Sequence, residues 1–172
     1  MTEFFNQKPS ELTEFLDFME EDIENIRRVV DFVEENDMDV EFIVHGKSET
    51  VGESVEKKGI EAEKIVKTLV FIAGGKPISV LCPADSRVSE EKLEEETGEE
   101  VRMADPEEVE KATGYIIGGV SPFDLEIPVY MEESILEHEI VDAAAGSRVV
   151  GAEVSPEELK ECNSAEALDL IE

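Results

Sequence analysis

The sequence predicts an α+β fold in a single domain, with a mixed and partly antiparallel sheet. Short β-rich runs and helical stretches follow each other irregularly, without the regular alternation of a doubly wound fold. Two of the β-rich runs are joined by Gly74-Gly75, which indicates a hairpin. A chain of 172 residues, 41% of them hydrophobic, is long enough to bury a sizeable core without disulfides or a metal.

The first half of the chain contains one long helix, a strand, a short helix and the hairpin. Apolar residues recur at helical spacing through residues 10–36, so this segment is predicted to be helical. Residues 39–45 alternate between polar and apolar and indicate a strand. Residues 50–59 indicate a short helix that Gly59 ends, and residues 64–84 contain the two runs of the hairpin.

The second half is marked by helix caps. A helix within residues 89–98 is closed by Gly98, and Asp105-Pro106 and Ser155-Pro156 each supply an N-cap residue followed by a proline at the first helical position. The remaining elements are a short strand, a second strand, a short helix and two further β-rich runs, at residues 100–104, 127–131, 134–139, 140–146 and 148–154.

The charge is strongly negative. Asp and Glu number 45 against 15 Lys and Arg, which gives a net charge of −30. The carboxylates are spread along the chain between apolar residues, so they indicate solvated faces of a folded protein rather than a disordered tail. Such a field repels nucleic acids and membranes at low ionic strength, but at about 1 M salt the screening length is only about 3 Å. We therefore predict a halophilic, cytoplasmic protein, whose charge does not exclude an anionic substrate.

The cysteines and histidines do not form a recognisable metal site. Cys82 and Cys162 are far apart in sequence and are predicted to be reduced, packed thiols. His138 lies in an acidic helix, whereas His45 ends a predicted strand near a pocket. We expect no metal and no cofactor. The N-terminus has no basic region followed by a long apolar run, so neither export nor a membrane partner is expected.

Lys67 is unusual within its strand. It shares one face with Ile65 and Leu69, while Val66 and Val70 make the other face apolar too. A strand that is apolar on both faces is buried, and an ammonium group there needs a partner. Lys67 either binds a ligand or extends to water or to one of the many carboxylates.

Two stretches of small residues could approach a ligand closely. Residues 118–124, GGVSPFD, combine two flexible glycines with a rigid Ser-Pro step, as in an ordinary turn or in a loop whose N–H groups contact a ligand. Ser121 lacks the strand–turn–helix context of a catalytic nucleophile. Residues 143–150, AAAGSRVV, allow close approach of a flat ligand or simply tight strand packing.

The stretches IVKTLVF, GYIIGGVSPFD and AAGSRVVGAEVSPEEL, in this order, resemble the YbaK/ProX family of trans-editing aminoacyl-tRNA deacylases, which are related to the editing domain of bacterial prolyl-tRNA synthetases. The resemblance implies a mostly antiparallel, barrel-like sheet of six or seven strands surrounded by short helices. It covers residues 38–162, with an acidic helical segment at 1–36 packed on this domain and a C-terminal tail at 163–172. It also implies hydrolysis of the ester that links a wrong amino acid to tRNA.

The same resemblance assigns the site. Lys67, Gly118 and Gly119 are the expected catalytic residues: Lys67 holds the substrate near the ester, and the two glycines frame the pocket with their backbone. The substrate-binding residues are expected to be Ser121, Pro122, Gly146 and His45. Asp124 stands where the family commonly has glycine, which bears on the geometry of the loop.

The expected partners are the acceptor end of mischarged tRNA and an aminoacyl-tRNA synthetase. Alanine or cysteine on tRNA for proline are the leading substrates. Two alternatives are a non-catalytic module that binds aminoacyl-tRNA or a synthetase, and a hydrolase of another small aminoacyl ester.

Overall fold

The structure is a computed structural model that describes residues 9–44 and 61–172. The predicted helix at 50–59 and His45 lie outside these residues. The α-helices are α1 (Pro9–Glu35), α2 (Glu90–Thr97), α3 (Pro106–Thr113) and α4 (Pro156–Cys162), with 3-10 helices at Ala62–Lys64 and Glu133–Glu137. The strands are β1 (Glu41–Val44), β2 (Ile65–Ala73), β3 (Lys76–Pro83), β4 (Val101–Met103), β5 (Val129–Glu132), β6 (Val141–Ala144), β7 (Val150–Val154) and β8 (Glu166–Leu168). In the described part of the chain, no helix has the length and apolarity needed to cross a bilayer.

The strands form one mixed sheet in the order β1-β7-β6-β2-β3-β5-β8, and β4 pairs with β2. The pairs β1–β7, β2–β3, β2–β4 and β6–β7 are antiparallel, whereas β2–β6, β3–β5 and β5–β8 are parallel. The predicted α+β class is confirmed. The sheet has eight strands in the described residues rather than the predicted six or seven.

The predicted hairpin and helix caps are confirmed. Gly74 and Gly75 both have positive φ, at 55° and 82°, as the two-residue turn of a twisted hairpin requires. The Asp105 side chain accepts a hydrogen bond from the N–H of Glu108. The Glu108 side chain in turn accepts the N–H of Asp105, so the two residues form a capping box. The Ser155 hydroxyl caps α4 by accepting the N–H of Glu158 at 3.3 Å.

Hydrophobic residues on the two faces of β2 and β3 belong to two clusters. The larger cluster contains Val66 and Val70 of β2, and Val29 and Val33 of α1 pack in it. The smaller cluster contains Phe71 on the opposite face of β2, with further members from β3, α2 and the C-terminus. Helix α1 therefore belongs to the main core of the molecule.

The C-terminal segment, predicted only as a tail at 163–172, is part of the sheet. Strand β8 pairs in parallel with β5, and Leu170 is fully buried. The buried Glu132 carboxylate holds this segment, because its Oε2 accepts the N–H of Leu170 at 2.7 Å. Its Oε1 accepts the N–H of Ser134 at 3.3 Å, so both oxygens of this buried group are used.

Candidate active site

The backbones of the 118–124 loop and the 145–149 loop approach each other closely at Gly119. A Cβ atom on Gly119 would lie 3.3 Å from Ser147 Cα and 3.4 Å from Ser147 N. Gly146 is almost as close, with its carbonyl carbon at 3.5 Å from the same position. Any side chain at Gly119 would therefore push the two loops apart.

Gly118 lies beside this contact and is exposed. Its φ is +92°, a conformation that residues with a Cβ rarely adopt, and a Cβ there would lie 3.2 Å from Cδ of Arg148. The N–H of Gly119 donates to the carbonyl oxygen of Ile116 at 2.9 Å. The N–H of Gly118 finds no hydrogen-bond acceptor among residues 9–44 and 61–172.

Ser121 and Pro122 are buried and support the loop from within. The Ser121 hydroxyl accepts the N–H of Phe123 at 3.3 Å, and the Tyr115 hydroxyl donates to the Phe123 carbonyl oxygen at 2.6 Å. Burial raises the pKa of Tyr115 to about 12, although the charge of Arg28 lowers it. Tyr115 therefore stays protonated and keeps its role as a donor.

Gly146 explains how α1 approaches the site. Its φ is +85°, and a Cβ there would lie 2.7 Å from both C and O of Asn25 in α1. One turn earlier, Asp22 Oδ2 accepts a hydrogen bond of 2.8 Å from the buried Ser147 hydroxyl. Burial raises the pKa of the Asp22 carboxyl, while the hydrogen bond from Ser147 and the charge of Arg148 lower it. Helix α1 thus packs directly on the 145–149 loop.

Arg28 of α1 contacts both ends of the segment that contains the 118–124 loop. Its Nε donates to Asp124 Oδ2 at 2.8 Å, and one terminal nitrogen donates to the Asp124 carbonyl oxygen. The other terminal nitrogen donates to the Thr113 carbonyl oxygen at 2.6 Å. The guanidinium carbon lies 4.2 Å from the ring centroid of Tyr115, within the range of a cation–π interaction.

A cavity of about 410 Å³ opens on the α1 side of Asp124. It is lined by charged residues and one aromatic ring, namely Glu24, Arg27, Arg28, Asp31, Phe32, Glu35 and Asp124. The cavity shares only Asp124 with the 118–124 loop, so its lining does not include the predicted site glycines.

Lys67 lies at the start of β2 and is half-buried. Its ammonium group donates to the carbonyl oxygen of Ser86 at 2.6 Å, and its register partner in β3 is Cys82. Its side chain therefore leaves the sheet on the face of the smaller cluster. The preceding residue, Val66, pairs with Ala143 of β6, so the Lys67 backbone lies level with the start of the 145–149 loop.

Thr68 presents an unsatisfied hydroxyl on the other face of β2. Its register partner Leu81 belongs to the larger cluster, which also contains Ala145 of the 145–149 loop. The Thr68 Oγ1 atom is buried and has no hydrogen-bond partner in the described residues. Such an atom is available to a ligand or a water molecule. Sequence reasoning missed Thr68, since a threonine in a strand is ordinary.

Neither cysteine is suited to act as a nucleophile. Burial raises the pKa of Cys82 to about 11, against the lowering effect of the Lys67 charge. Burial likewise raises the pKa of Cys162 to about 12. Both thiols stay protonated at neutral pH, and a thiol reacts through its thiolate. Among residues 9–44 and 61–172, no group of three or more His, Cys, Asp and Glu residues could hold a metal ion.

The structure brings together the glycines of the two loops, but Lys67 leaves the sheet on another face. Sequence reasoning also missed Asp22 and Arg28. Asp22 was hidden among 45 acidic residues. The one local signal for Arg28 was the pair of basic residues Arg27 and Arg28 within an otherwise acidic helix.

The sequence matches one protein family, described as the aminoacyl-tRNA editing domain, over residues 45–162. It is 35% identical over 117 residues to the uncharacterized protein YwhH of Bacillus subtilis. The aligned residues make up 66% of this chain and 74% of that protein. It is 34% identical over 118 residues to EbsC of Enterococcus faecalis, a candidate Cys-tRNA(Pro)/Cys-tRNA(Cys) deacylase, with 66% of this chain and 70% of that protein covered. A proline–tRNA ligase of Solidesulfovibrio magneticus is 33% identical over 105 residues, or 60% of this chain but 17% of the enzyme.

Solved structures agree with the sequence matches. The crystal structure of a candidate trans-editing enzyme for prolyl-tRNA synthetase has a TM-score of 0.78 at 30% identity, covering 86% of this chain and 97% of that one. The structure of a hypothetical protein has a TM-score of 0.80 at 28% identity, covering 84% of this chain and 99% of that one.

Proposed function

The chain belongs to the aminoacyl-tRNA editing domain family, and we propose that it is an aminoacyl-tRNA deacylase, which hydrolyses the ester of a mischarged tRNA. The observation that carries this proposal is the close backbone approach of Gly119 to the Gly146–Ser147 step, which leaves no room for a Cβ. Both loops fall within the matched residues 45–162. Because Gly119 and Gly146 have no side chains, the backbones of the two loops approach each other closely, and we propose that the ester binds beside this approach.

The reaction needs a positioned water more than a strong protein nucleophile, because an aminoacyl ester is already activated. The water oxygen forms a bond to the ester carbonyl carbon, and the carbonyl oxygen becomes an oxyanion. The bond from this carbon to the ribose oxygen then breaks, and a proton from the attacking water passes to that oxygen. The neighbouring ribose hydroxyl of the substrate can relay this proton. The protein's part is to orient the ester and stabilise the oxyanion.

The donors on the two loops differ in availability. The N–H of Gly119 is used in the turn with Ile116, so we assign the role of oxyanion donor to the N–H of Gly118, which has no acceptor in the described residues. Lys67 has three N–H donors, and the bond to Ser86 uses one of them. We assign Gly118 and Gly119 to the frame around the ester. Thr68 offers a hydroxyl on the face of the larger cluster, which also contains Ala145 of the 145–149 loop. Lys67 stays a proposed substrate-binding residue, and its side chain leaves the sheet on the opposite face.

The other predicted residues have supporting parts in this proposal. Ser121 and Pro122 are buried, so they support the site by holding the loop from within. Gly146 supports it by letting the 145–149 loop lie under α1. His45 remains a proposed substrate-binding residue, which the described residues do not include.

The finer substrate that we propose is cysteine or alanine on tRNA for proline. Similarity to a candidate Cys-tRNA(Pro) deacylase supports cysteine, and similarity to proline–tRNA ligases supports the tRNA. A prolyl-tRNA synthetase that supplies mischarged tRNA is the corresponding partner, in the cytoplasm. The net charge of −30 favours a second candidate, a hydrolase of small aminoacyl esters that needs no tRNA docking.

The test is to incubate the protein with Cys-, Ala- and Pro-tRNA(Pro), and with the methyl esters of the same amino acids, in molar potassium chloride. We expect hydrolysis of Cys- or Ala-tRNA(Pro) and much slower hydrolysis of Pro-tRNA(Pro). Gly119→Ala should reduce the rate and Gly119→Val should abolish it, because a Cβ already meets Ser147 at 3.3 Å and valine adds two methyl groups. Turnover of the methyl esters alone would favour the second candidate, and turnover of neither class would contradict both enzymatic functions.

A further inference from the structure

We propose that Arg28 is a positioning residue of the deacylase site, which fixes the 118–124 loop by bridging its two flanks. This inference rests on the proposed function, because it assigns a role within the same site. It also goes beyond the family match, since α1 precedes the matched residues 45–162.

The bridge consists of hydrogen bonds to two separate stretches of backbone. Thr113 ends α3 before the loop, and Asp124 ends the loop itself. Arg28 donates to the carbonyl oxygens of both, and its Nε also donates to the Asp124 carboxylate at 2.8 Å. A planar guanidinium can make these bonds at the same time, whereas a lysine ammonium has no such fixed fork. The two ends of the intervening segment are thereby held at a fixed separation.

Aromatic packing keeps the guanidinium in this place. It stacks on Tyr115, which is fully buried, at 4.2 Å from the ring centroid. One turn further along α1, Phe32 packs against Phe123 of the loop, with the ring centroids 6.4 Å apart. Arg28 and Phe32 lie on the same face of the helix, so α1 contacts the loop over a full turn.

Asp124 contributes both its backbone and its side chain to the bridge. Its φ is +60°, in the left-handed region where glycine is favoured and where aspartate is among the better tolerated residues. Arg28 contacts both the backbone and the side chain of Asp124. The Arg28 side chain is 26% exposed and the Asp124 side chain 41% exposed. The aspartate in a glycine-like conformation and the arginine on α1 are therefore one structural unit.

The position of the 118–124 loop matters because the site leaves little room for the loop to move. A Cβ on Gly119 would lie only 3.3 Å from Ser147 Cα, and α1 holds Ser147 through Asp22. Helix α1 therefore contacts both loops of the site, one through Asp22 and the other through Arg28. Loss of the Arg28 bridge should leave the 145–149 loop in place while the 118–124 loop gains freedom. The proposed site would then discriminate less well between substrates.

The experiment compares Arg28→Met with Arg27→Met in the full chain. Arg27 is exposed on the same helix and lines the same cavity, so its replacement makes the same change in charge without breaking the bridge. Hydrogen exchange is measured on peptides that cover residues 114–124 and 145–149. In parallel, the rates of hydrolysis of Cys-, Ala- and Pro-tRNA(Pro) give selectivity ratios, which do not depend on the fraction of folded protein.

For Arg28→Met we expect about ten- to a hundredfold faster exchange in residues 114–124, from the loss of charge-assisted hydrogen bonds. Exchange in residues 145–149 should stay near wild type, and the selectivity ratios should fall. Arg27→Met should match wild type in both measurements. Arg28→Lys should resemble Arg28→Met, because lysine keeps the charge but lacks the fork.

Unchanged exchange in residues 114–124 of Arg28→Met would overturn the bridge, whether or not the wild-type protein is active. Faster exchange with unchanged selectivity would overturn the positioning role, and full recovery by Arg28→Lys would overturn the fork geometry. A wild-type protein without activity toward any ester would contradict the proposed function and with it the positioning role, while the exchange data would still decide the bridge.

Discussion

Replacing Gly146 by alanine tests the contact between α1 and the 145–149 loop with a single methyl group. The new Cβ would lie 2.7 Å from C and O of Asn25 and 3.0 Å from the N of Ile26. These are backbone atoms of a helix, so they cannot move aside as a flexible side chain can. Helix α1 or the 145–149 loop must therefore shift by about 1 Å to restore a normal carbon contact of about 3.5–4 Å.

Gly75→Ala is a control that separates this contact from the cost of backbone conformation. Gly75 has φ +82° against +85° for Gly146, but nothing lies within 4 Å of its Cβ position. The left-handed conformation costs an alanine about 1–2 kcal/mol at either site. The overlap with α1 should add about 1–3 kcal/mol at Gly146 alone. In a domain of this size, that excess corresponds to a melting temperature lower by about 2–12 °C.

The assay is thermal unfolding of both variants and the wild type under identical conditions, with the deacylation rate per folded molecule as a second measurement. Gly146→Ala should melt below Gly75→Ala, and it should also lose activity because the shift disturbs the Gly119 contact. Gly75→Ala should keep its activity. Equal melting temperatures of the two variants would refute the close packing of α1 on the 145–149 loop.

Three further predictions concern the lysine, the buried carboxylate and the surface charge. Lys67→Ala should fold and lose about ten- to a hundredfold in deacylation rate, and Lys67→Arg should also deacylate slowly. A near wild-type rate of Lys67→Ala would show that Lys67 only binds the Ser86 carbonyl oxygen. Asp22→Asn should raise the melting temperature at about pH 7, because the amide oxygen still accepts from Ser147 while the buried charge is gone. Burial raises the folded-state pKa of Asp22, so the wild type gains stability as the pH falls through that pKa. The difference in melting temperature between Asp22→Asn and the wild type should therefore shrink toward about pH 4. Equal melting temperatures at about pH 7 would contradict this. The melting temperature should rise from about 0.1 to about 2 M potassium chloride, since the screening length falls from about 10 Å to below about 3 Å; a flat profile would show that the net charge of −30 is not a source of instability.

The sequence was sufficient wherever a structure is determined by neighbouring residues. The turn at Gly74-Gly75 and the caps at Asp105 and Ser155 each depend on a few adjacent positions, and all are present as predicted. A capping box or a two-residue turn satisfies its own hydrogen bonds locally. The residues of a cap or turn are therefore enough to predict it from the sequence.

Long-range pairing has no such local signature. The parallel pairing of β2 with β6 and of β5 with β8 joins segments that are distant in sequence. Strand β8 has only three residues, Glu166–Leu168, and its place depends partly on the Glu132 carboxylate that binds Leu170. A strand this short shows too little alternation to be distinguished from a polar tail.

At the candidate site, the glycines could be predicted from the sequence, but the residues of α1 that pack against them could not. Gly146 was expected to make room for a flat ligand or a strand, yet the atoms in that space belong to α1. Asp124 differs from the glycine common in the family, and the sequence alone could only indicate that the loop geometry was affected. The structure supplies the physical reason: Arg28 binds the side chain and the backbone of Asp124 together. A substitution in one loop and an arginine in a helix outside the matched residues are thus linked. It follows that replacing Asp124 by glycine should relax the backbone and still leave Arg28 a carbonyl oxygen on each side of the loop.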